Sequence, residues 1–291
     1  MIVDWDDAYA NAAHIEGGDA YPAKWAAMAK AFREGLAAAG RAELDVAYGE
    51  GVRERLDMFR PQGEPKGLMV FAHGGYWTAF DKSSWSHLAA GALERGWAAC
   101  VPSYTLAPEA RIHEITRQFA KAIECAASRV AGPLRLSGHS AGGHLVTRMV
   151  CEDTDLPDPV RRRIGRIASV SGLHDLRPLL RTKMNATLRL DENEAALESA
   201  ALRRPISPCA VICWVGSKER PEFLRQSELL ANIWTGLGAE MRCFRAAGRR
   251  HFDVIDDLAD PNSLLLRTLL DENGAHADRR NLATDASSSA I

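Results

Sequence analysis

The stretch "LRLSGHSAGGHLV", residues 134–146, sets Ser140 between Gly138 and Gly142 in the spacing G-x-S-x-G. A serine in that spacing has a chemical use when a strand leads into it and a helix leads out. Its hydroxyl then stands on a sharp turn at the sheet edge. Side chains on the flanking glycines would collide across that turn. Strand-like "LRLSG" precedes Ser140 and helix-like "AGGHLVTRMVCE" follows it. Ser140 is therefore expected to be a nucleophile, with the first amides of the helix facing any oxyanion it creates. The plainer alternative is a glycine-rich turn that only joins two elements.

A second feature lies upstream in "FAHGGYWTAF", residues 71–80, where an apolar run ends in two glycines. Adjacent glycines at a strand end mark backbone that another group approaches closely. With Ser140 as nucleophile, that group is a carbonyl oxygen becoming an oxyanion. The amides of Gly74, Gly75 and Ala141 are the expected donors, and losing one such donor costs roughly 3–4 kcal/mol. His73 is read as a brace for this loop rather than a base. Tyr76 and Trp77 either pack in the core or line a pocket, and we place both in the expected pocket together with His73 and His139.

A serine nucleophile needs a base and an orienting acid, which follow it in the chain in the order acid, then histidine. Of the nine histidines, His251 in "FRAAGRRHFDVIDDL" is best placed, five residues past the last strand-like run "EMRCFRA". His139 and His144 are too close to Ser140 in sequence to serve. His174 also follows a strand and is the main competitor. For the acid, "VICWVGSKERPEFLRQ" offers Glu219 where the loop leaves the sheet. Glu222 is better suited to start the next helix, where a carboxylate meets the positive end of the dipole. Asp175, one strand earlier, remains a competing acid. Ser171 and Arg177 are positional guesses for contacts to a substrate head group.

These residues must be positioned by an alternating framework. Short Val/Ile/Leu/Ala-rich runs, including "GLMVFAH", "WAACVPS", "LRLSG", "RIASVSG", "CAVICWVG" and "EMRCFRA", alternate with helical stretches. That pattern implies an α/β fold with a mostly parallel sheet covered by helices on both faces. "AELDVAYG" and "RERLDMFRP" around "GEG" read as a hairpin ahead of it. Residues 82–95 read as a helix. In residues 1–40, Trp25, Met28, Phe32 and Leu36 recur at helical spacing, and this segment is a candidate cap. We read residues 41–272 as one catalytic domain and residues 273–291, polar and rich in Ser and Ala, as a disordered tail.

The chain has 291 residues, 46% apolar and 25% charged, with a net charge of −2. Those values suit a soluble globular domain and argue against nucleic-acid or membrane binding driven by bulk charge. Six cysteines at irregular spacing, several inside apolar runs, fit reduced buried thiols and a cytoplasmic protein. The acidic start "MIVDWDDAYANAAH" lacks the pattern of a signal peptide, and no apolar run reaches the roughly 20 residues of a membrane span. No metal-ligand spacing occurs, so neither metal nor cofactor is expected.

Several stretches together resemble the kynurenine formamidase (arylformamidase) group of the α/β-hydrolase superfamily, near the hormone-sensitive-lipase-like esterases. They are "HGGYW", "DKSSWSH", "VPSYTLAPEARI", "GHSAGGHL", "SGLHDLRPL", "MNATLRLDENEA", "PEFLRQS" and "HFDVIDDL", spanning most of residues 40–258. The resemblance implies an α/β-hydrolase fold with a sheet of about eight strands, Ser140 as nucleophile and His251 as base. It puts Glu219 in the acid position, where the group often has Asp. "SAALRRP" also departs from the Ser-Pro step usual there. The implied reaction is hydrolysis of N-formyl-L-kynurenine to kynurenine and formate, with Tyr76 and Trp77 packing on the aromatic leaving group. A carboxylesterase for short-acyl or aryl esters is the alternative. The implied partner is one small molecule, and a homodimer is compatible with the sequence.

Overall fold

A computed structural model of the chain describes residues 4–206 and 208–271. The stretch read as a disordered tail lies outside the described residues. Eight strands form one sheet: β1 Ala42–Ala47, β2 Arg55–Phe59, β3 Leu68–Ala72, β4 Ala98–Pro102, β5 Leu134–His139, β6 Ile164–Val170, β7 Ala210–Gly216 and β8 Glu240–Ala246. Their order is β1-β2-β4-β3-β5-β6-β7-β8. The pairs β1–β2 and β2–β4 are antiparallel, whereas every pair from β4 to β8 is parallel. The expected hairpin is therefore β1 and β2, with Ala42 opposite Phe59.

Period-two alternation divides the core between the two faces of the sheet. From β3, Leu68, Val70 and Ala72 enter one apolar cluster, and Met69 and Phe71 enter the other. The long helix Ile112–Ala127 covers the first face through Ile115, Phe119, Ala122 and Ile123. On the second face lie Trp85, Leu88, Leu265 and Leu269, together with Trp25 from the helix Tyr21–Ala38. All five residues of β3 and all six of β5 are buried, as central parallel strands require.

Two local expectations need correction. Residues 82–95 are not one helix but two 3₁₀ turns, Lys82–Ser84 and Ser86–Ala89, leading into a short helix Ala90–Glu94. The Asp81 carboxylate caps the first turn by accepting from Ser83 N at 2.7 Å, and Arg33 of the neighbouring helix donates to Ser86 Oγ at 2.9 Å. These side-chain bonds favour a broken path over a straight helix. In the helix Tyr21–Ala38, Trp25 is buried, but Met28 is 42% exposed, because Ala29 takes the inward position beside Trp25. Among the described residues no helix is long and apolar enough to cross a membrane.

Candidate active site

Ser140 joins β5 to the helix Ala141–Arg148 with φ 54° and ψ −116°, a left-handed backbone that a serine adopts only when its surroundings enforce it. The enforcement is visible in the flanking glycines. A Cβ on Gly138 would lie 2.1 Å from the Gly142 carbonyl oxygen, and one on Gly142 would lie 2.0 Å from that of Ala72. Glycine alone lets β3, β5 and the helix meet this closely. Ser140 N donates to Val170 O at 2.9 Å, pinning the turn to the end of β6.

His251 lies in the turn after β8, with Nδ1 2.7 Å from Glu219 Oε2. Both side chains are buried. Oε1 of the same carboxylate accepts from Gly216 N at 2.7 Å and from the Ser171 hydroxyl at 2.5 Å. With Glu219 ionised, Nδ1 carries the proton it donates and Nε2 is left as the basic nitrogen. Phe223 and His139 flank the imidazole, with ring centroids at 4.4 and 4.6 Å. His139 Nε2 donates to His251 O at 2.8 Å and so steadies the loop. Burial, reinforced by the nearby His251, holds His139 neutral well below the usual histidine range.

The competing residues are engaged elsewhere. Asp175 pairs with Arg177 at 2.8 and 2.9 Å. Glu222, in the first turn of the helix Pro221–Gly236, accepts from Tyr9 OH at 2.7 Å. His174 is fully buried beside Thr147 and Ser169, and burial depresses its pKa to about 3.

Ser140, His139 and His251 line one cavity of about 690 Å³, a size that takes a small organic ligand. Its walls are chiefly apolar and aromatic, with Tyr76, Phe80, Trp85 and Phe252 from the main domain. The opposite wall is the N-terminal segment, which contributes Tyr9, Asn11 and Trp25. This segment is tied down at several points. Tyr76 OH donates to Tyr9 O at 2.7 Å, Tyr9 OH reaches Glu222, and Trp25 packs against Trp85 and Phe252.

Gly75 also lines the cavity, at φ 104°, where a Cβ would meet Ala79 O at 2.6 Å. A Cβ on Gly74 would come within 3.1 Å of Ser140 Cβ, so this glycine backs directly onto the Ser140 turn. The amides of Gly74, Gly75 and Ala141 donate to no backbone oxygen among the described residues.

Two of the expected pocket residues are elsewhere. Trp77 is fully buried and packs edge-on to His144, with centroids at 5.2 Å, so it is core and not a pocket wall. Tyr76 and Trp77 both have positive φ, 50° and 57°, and this tight left-handed turn keeps Tyr76 at the cavity while Trp77 is buried in the core. His73 lies behind the loop and does not line the cavity: its Nδ1 donates to Gly74 O at 2.8 Å and its ring stacks on Tyr104 at 4.3 Å. Burial lowers its pKa to about 4, so it is a neutral brace. The two head-group guesses also move. Ser171 holds the far oxygen of Glu219, and Arg177 lies outside the cavity in its pair with Asp175.

Sequence reasoning missed the contributions of Tyr9, Asn11, Phe80, Trp85 and Phe252. The polar N-terminal stretch carries no motif, and its place over Ser140 depends on partners more than 60 residues away, such as Tyr76. Among the described residues no group of three His, Cys, Asp or Glu side chains is placed to hold a metal ion.

Comparison with known proteins agrees with this fold. A family described as having the alpha/beta hydrolase fold matches residues 69–206. The kynurenine formamidase of Danio rerio is 30% identical over 237 residues, covering 78% of this chain and 80% of that protein. A crystal structure of a putative thioesterase from a Silicibacter species superimposes with a TM-score of 0.87 at 49% identity, covering 91% of this chain and 98% of that one. Esterase B of Lactobacillus rhamnosis matches with a TM-score of 0.65 at 14% identity over 89% of this chain and 99% of its own, a likeness of fold alone.

Proposed function

The chain belongs to the kynurenine formamidase-like group of the α/β-hydrolases, and we propose that it cleaves the aryl formamide of N-formyl-L-kynurenine with Ser140, His251 and Glu219 as its catalytic residues. The observation that carries this reading is the buried 2.7 Å bond between Glu219 and His251, on a histidine that shares an aromatic cavity with Ser140.

In the proposed reaction Ser140 Oγ attacks the formyl carbon while His251 Nε2 takes its proton. The Glu219 carboxylate stabilises the resulting imidazolium through Nδ1. The amides of Gly74, Gly75 and Ala141 receive the oxyanion. Collapse breaks the C–N bond, and His251 returns the proton to the departing aniline nitrogen. A water then attacks the formyl-enzyme with His251 again as base, releasing formate and restoring Ser140. The formyl group is the smallest acyl unit, so most of the cavity is left for the aromatic leaving group. Tyr76, Phe80, Trp85 and Phe252 offer it flat apolar contacts.

The N-terminal segment acts in this reading as a cap that completes the leaving-group side. The six unpaired cysteines support a cytoplasmic setting. A homodimer is part of the proposal and is tested by light scattering.

The deciding experiment follows kynurenine absorbance with N-formyl-L-kynurenine, using Ser140→Ala as control. The Silicibacter relative is described as a putative thioesterase, so a short alkyl ester and an acyl thioester are assayed in parallel. Turnover of the formamide that vanishes in the variant supports the proposal. A kcat/KM higher by orders of magnitude on the ester or thioester would overturn the substrate assignment while leaving the serine chemistry.

A further inference from the structure

The charged side chains that line the cavity are carboxylates. Asp6 and Asp19 of the N-terminal segment line it, and among the described residues no lysine or arginine does. Asp6 is engaged by Lys183, whose amide donates to one oxygen at 2.7 Å and whose ammonium lies 3.7 Å from the other. Asp19 is exposed and has no ion-pair partner among the described residues.

Asn11 lines the same cavity and is only 6% exposed. Its orientation follows from its neighbour. The Tyr76 hydroxyl spends its single proton on Tyr9 O at 2.7 Å, so toward Asn11 it can only accept. It therefore faces Asn11 Nδ2, at 3.4 Å, and the amide oxygen points elsewhere. That oxygen is buried and has no partner among the described residues. A buried acceptor left without a donor marks a place where a water or a ligand is expected to donate.

Resting on the leaving-group reading above, we propose that Asn11 and Asp19 form a subsite for a cationic amine carried by the leaving group, and that a leaving-group carboxylate is bound by no side chain of the cavity. An amino-acid leaving group would turn its ammonium toward the cap and its carboxylate to solvent. A primary ammonium offers three donors, which suits an amide oxygen and a carboxylate together. A carboxylate in the same place would meet two acceptors and no donor, and like charge against Asp19 would oppose it.

Four aryl formamides separate the contributions: N-formylkynurenine itself, its analogue lacking the carboxylate, its analogue lacking the amine, and plain formanilide. The analogue that keeps only the amine is expected within about threefold of N-formylkynurenine in kcat/KM. The analogue that keeps only the carboxylate is expected to fall by about tenfold or more. Asp19→Asn and Asn11→Leu are each expected to shrink the ratio between those two analogues, chiefly through KM. A wild-type preference for the carboxylate-only analogue, or equal rates for both, would overturn the subsite and leave the formamidase reading standing.

Titration calorimetry of Ser140→Ala with the same pair of analogues separates the opposite case. Tighter binding of the amine, with no formamide turned over by the wild-type protein, would keep the subsite and remove the formamidase reading. Equal binding of the two would remove the subsite whatever the turnover.

Discussion

Replacing Glu219 by glutamine tests the acid with little change of shape. Oε1 of Glu219 accepts from the Gly216 amide, which can only donate, and from Ser171 Oγ. The amide oxygen of a glutamine is thereby directed to that side. Its NH2 then takes the place of Oε2, 2.7 Å from His251 Nδ1. Two N–H groups cannot face each other at that distance, so Nδ1 must become the acceptor and the ring proton moves to Nε2. An imidazole protonated at Nε2 cannot take the proton of Ser140. A base held in the wrong tautomer costs about 10⁴ in kcat, which at about 1.36 kcal/mol per decade is ~5 kcal/mol of barrier. The assay is steady-state hydrolysis of N-formyl-L-kynurenine by Glu219→Gln, with thermal melting to verify folding and Asp175→Asn alongside. Asp175 is committed to Arg177, so its variant is expected within about tenfold of wild type. A Glu219→Gln variant that folds and keeps more than about a tenth of wild-type kcat would refute the tautomer argument. So would a greater loss from Asp175→Asn.

Other consequences can be measured separately. Ser171→Ala removes one of the two donors on Glu219 Oε1 and is expected to lower kcat by about 10- to 100-fold at nearly constant KM, since a hydrogen bond to a charged group contributes about 1.5–3 kcal/mol; a change confined to KM would contradict a role behind the acid. Tyr9→Phe removes the bond to Glu222 and is expected to destabilise by about 1–2 kcal/mol in urea titration and to raise KM, with kcat little altered. Burial depresses His73 and His87 to about 4, and His144 and His174 to about 3, against 6.5 when unfolded. The folded protein keeps all four neutral where the unfolded chain protonates them. Their contribution is therefore fully present above about pH 6.5 and is lost as pH falls toward about 4, by up to roughly 1.4 kcal/mol per pH unit for each. A urea midpoint that stays flat between pH 7 and pH 5 would show that these rings are not buried neutral.

The parts of this site that are legible in the sequence are those imposed by local backbone geometry. Gly138 is required by a contact of about 2 Å within the turn and Gly142 by one with the end of the neighbouring strand β3, and the spacing of the two around Ser140 can be read from a few residues. His251 and Glu219 are separated by 32 residues, yet both follow from the rule that the loops after successive strands meet above the sheet. Trp77 was not legible in the same way. Whether an aromatic beside Tyr76 faces a cavity or the core is decided by two successive left-handed residues, a conformation that neither tyrosine nor tryptophan advertises. Ser171 shows the converse. Its backbone is also left-handed, at φ 52°, and the hydroxyl so placed reaches a carboxylate 48 residues further along the chain. The segment opposite Ser140 was the least legible, because its polar and alanine-rich composition is shared by many surface helices.

The anchoring of that segment has a bearing on the order of assembly during synthesis. Tyr9 is held by Glu222, 213 residues later in the chain, and Trp25 rests on Phe252. Translation makes the segment before any of its partners, and Tyr76 and Trp85, which also hold it, are made well before Glu222 and Phe252. For most of synthesis the chain carries Tyr9, Tyr21 and Trp25 with those partners not yet made. The full set of contacts that holds the wall opposite Ser140 can form only once the turn bearing His251 has been made, so a nascent chain acquires Ser140, then Glu219 and His251, and the complete anchoring of the cavity wall after them.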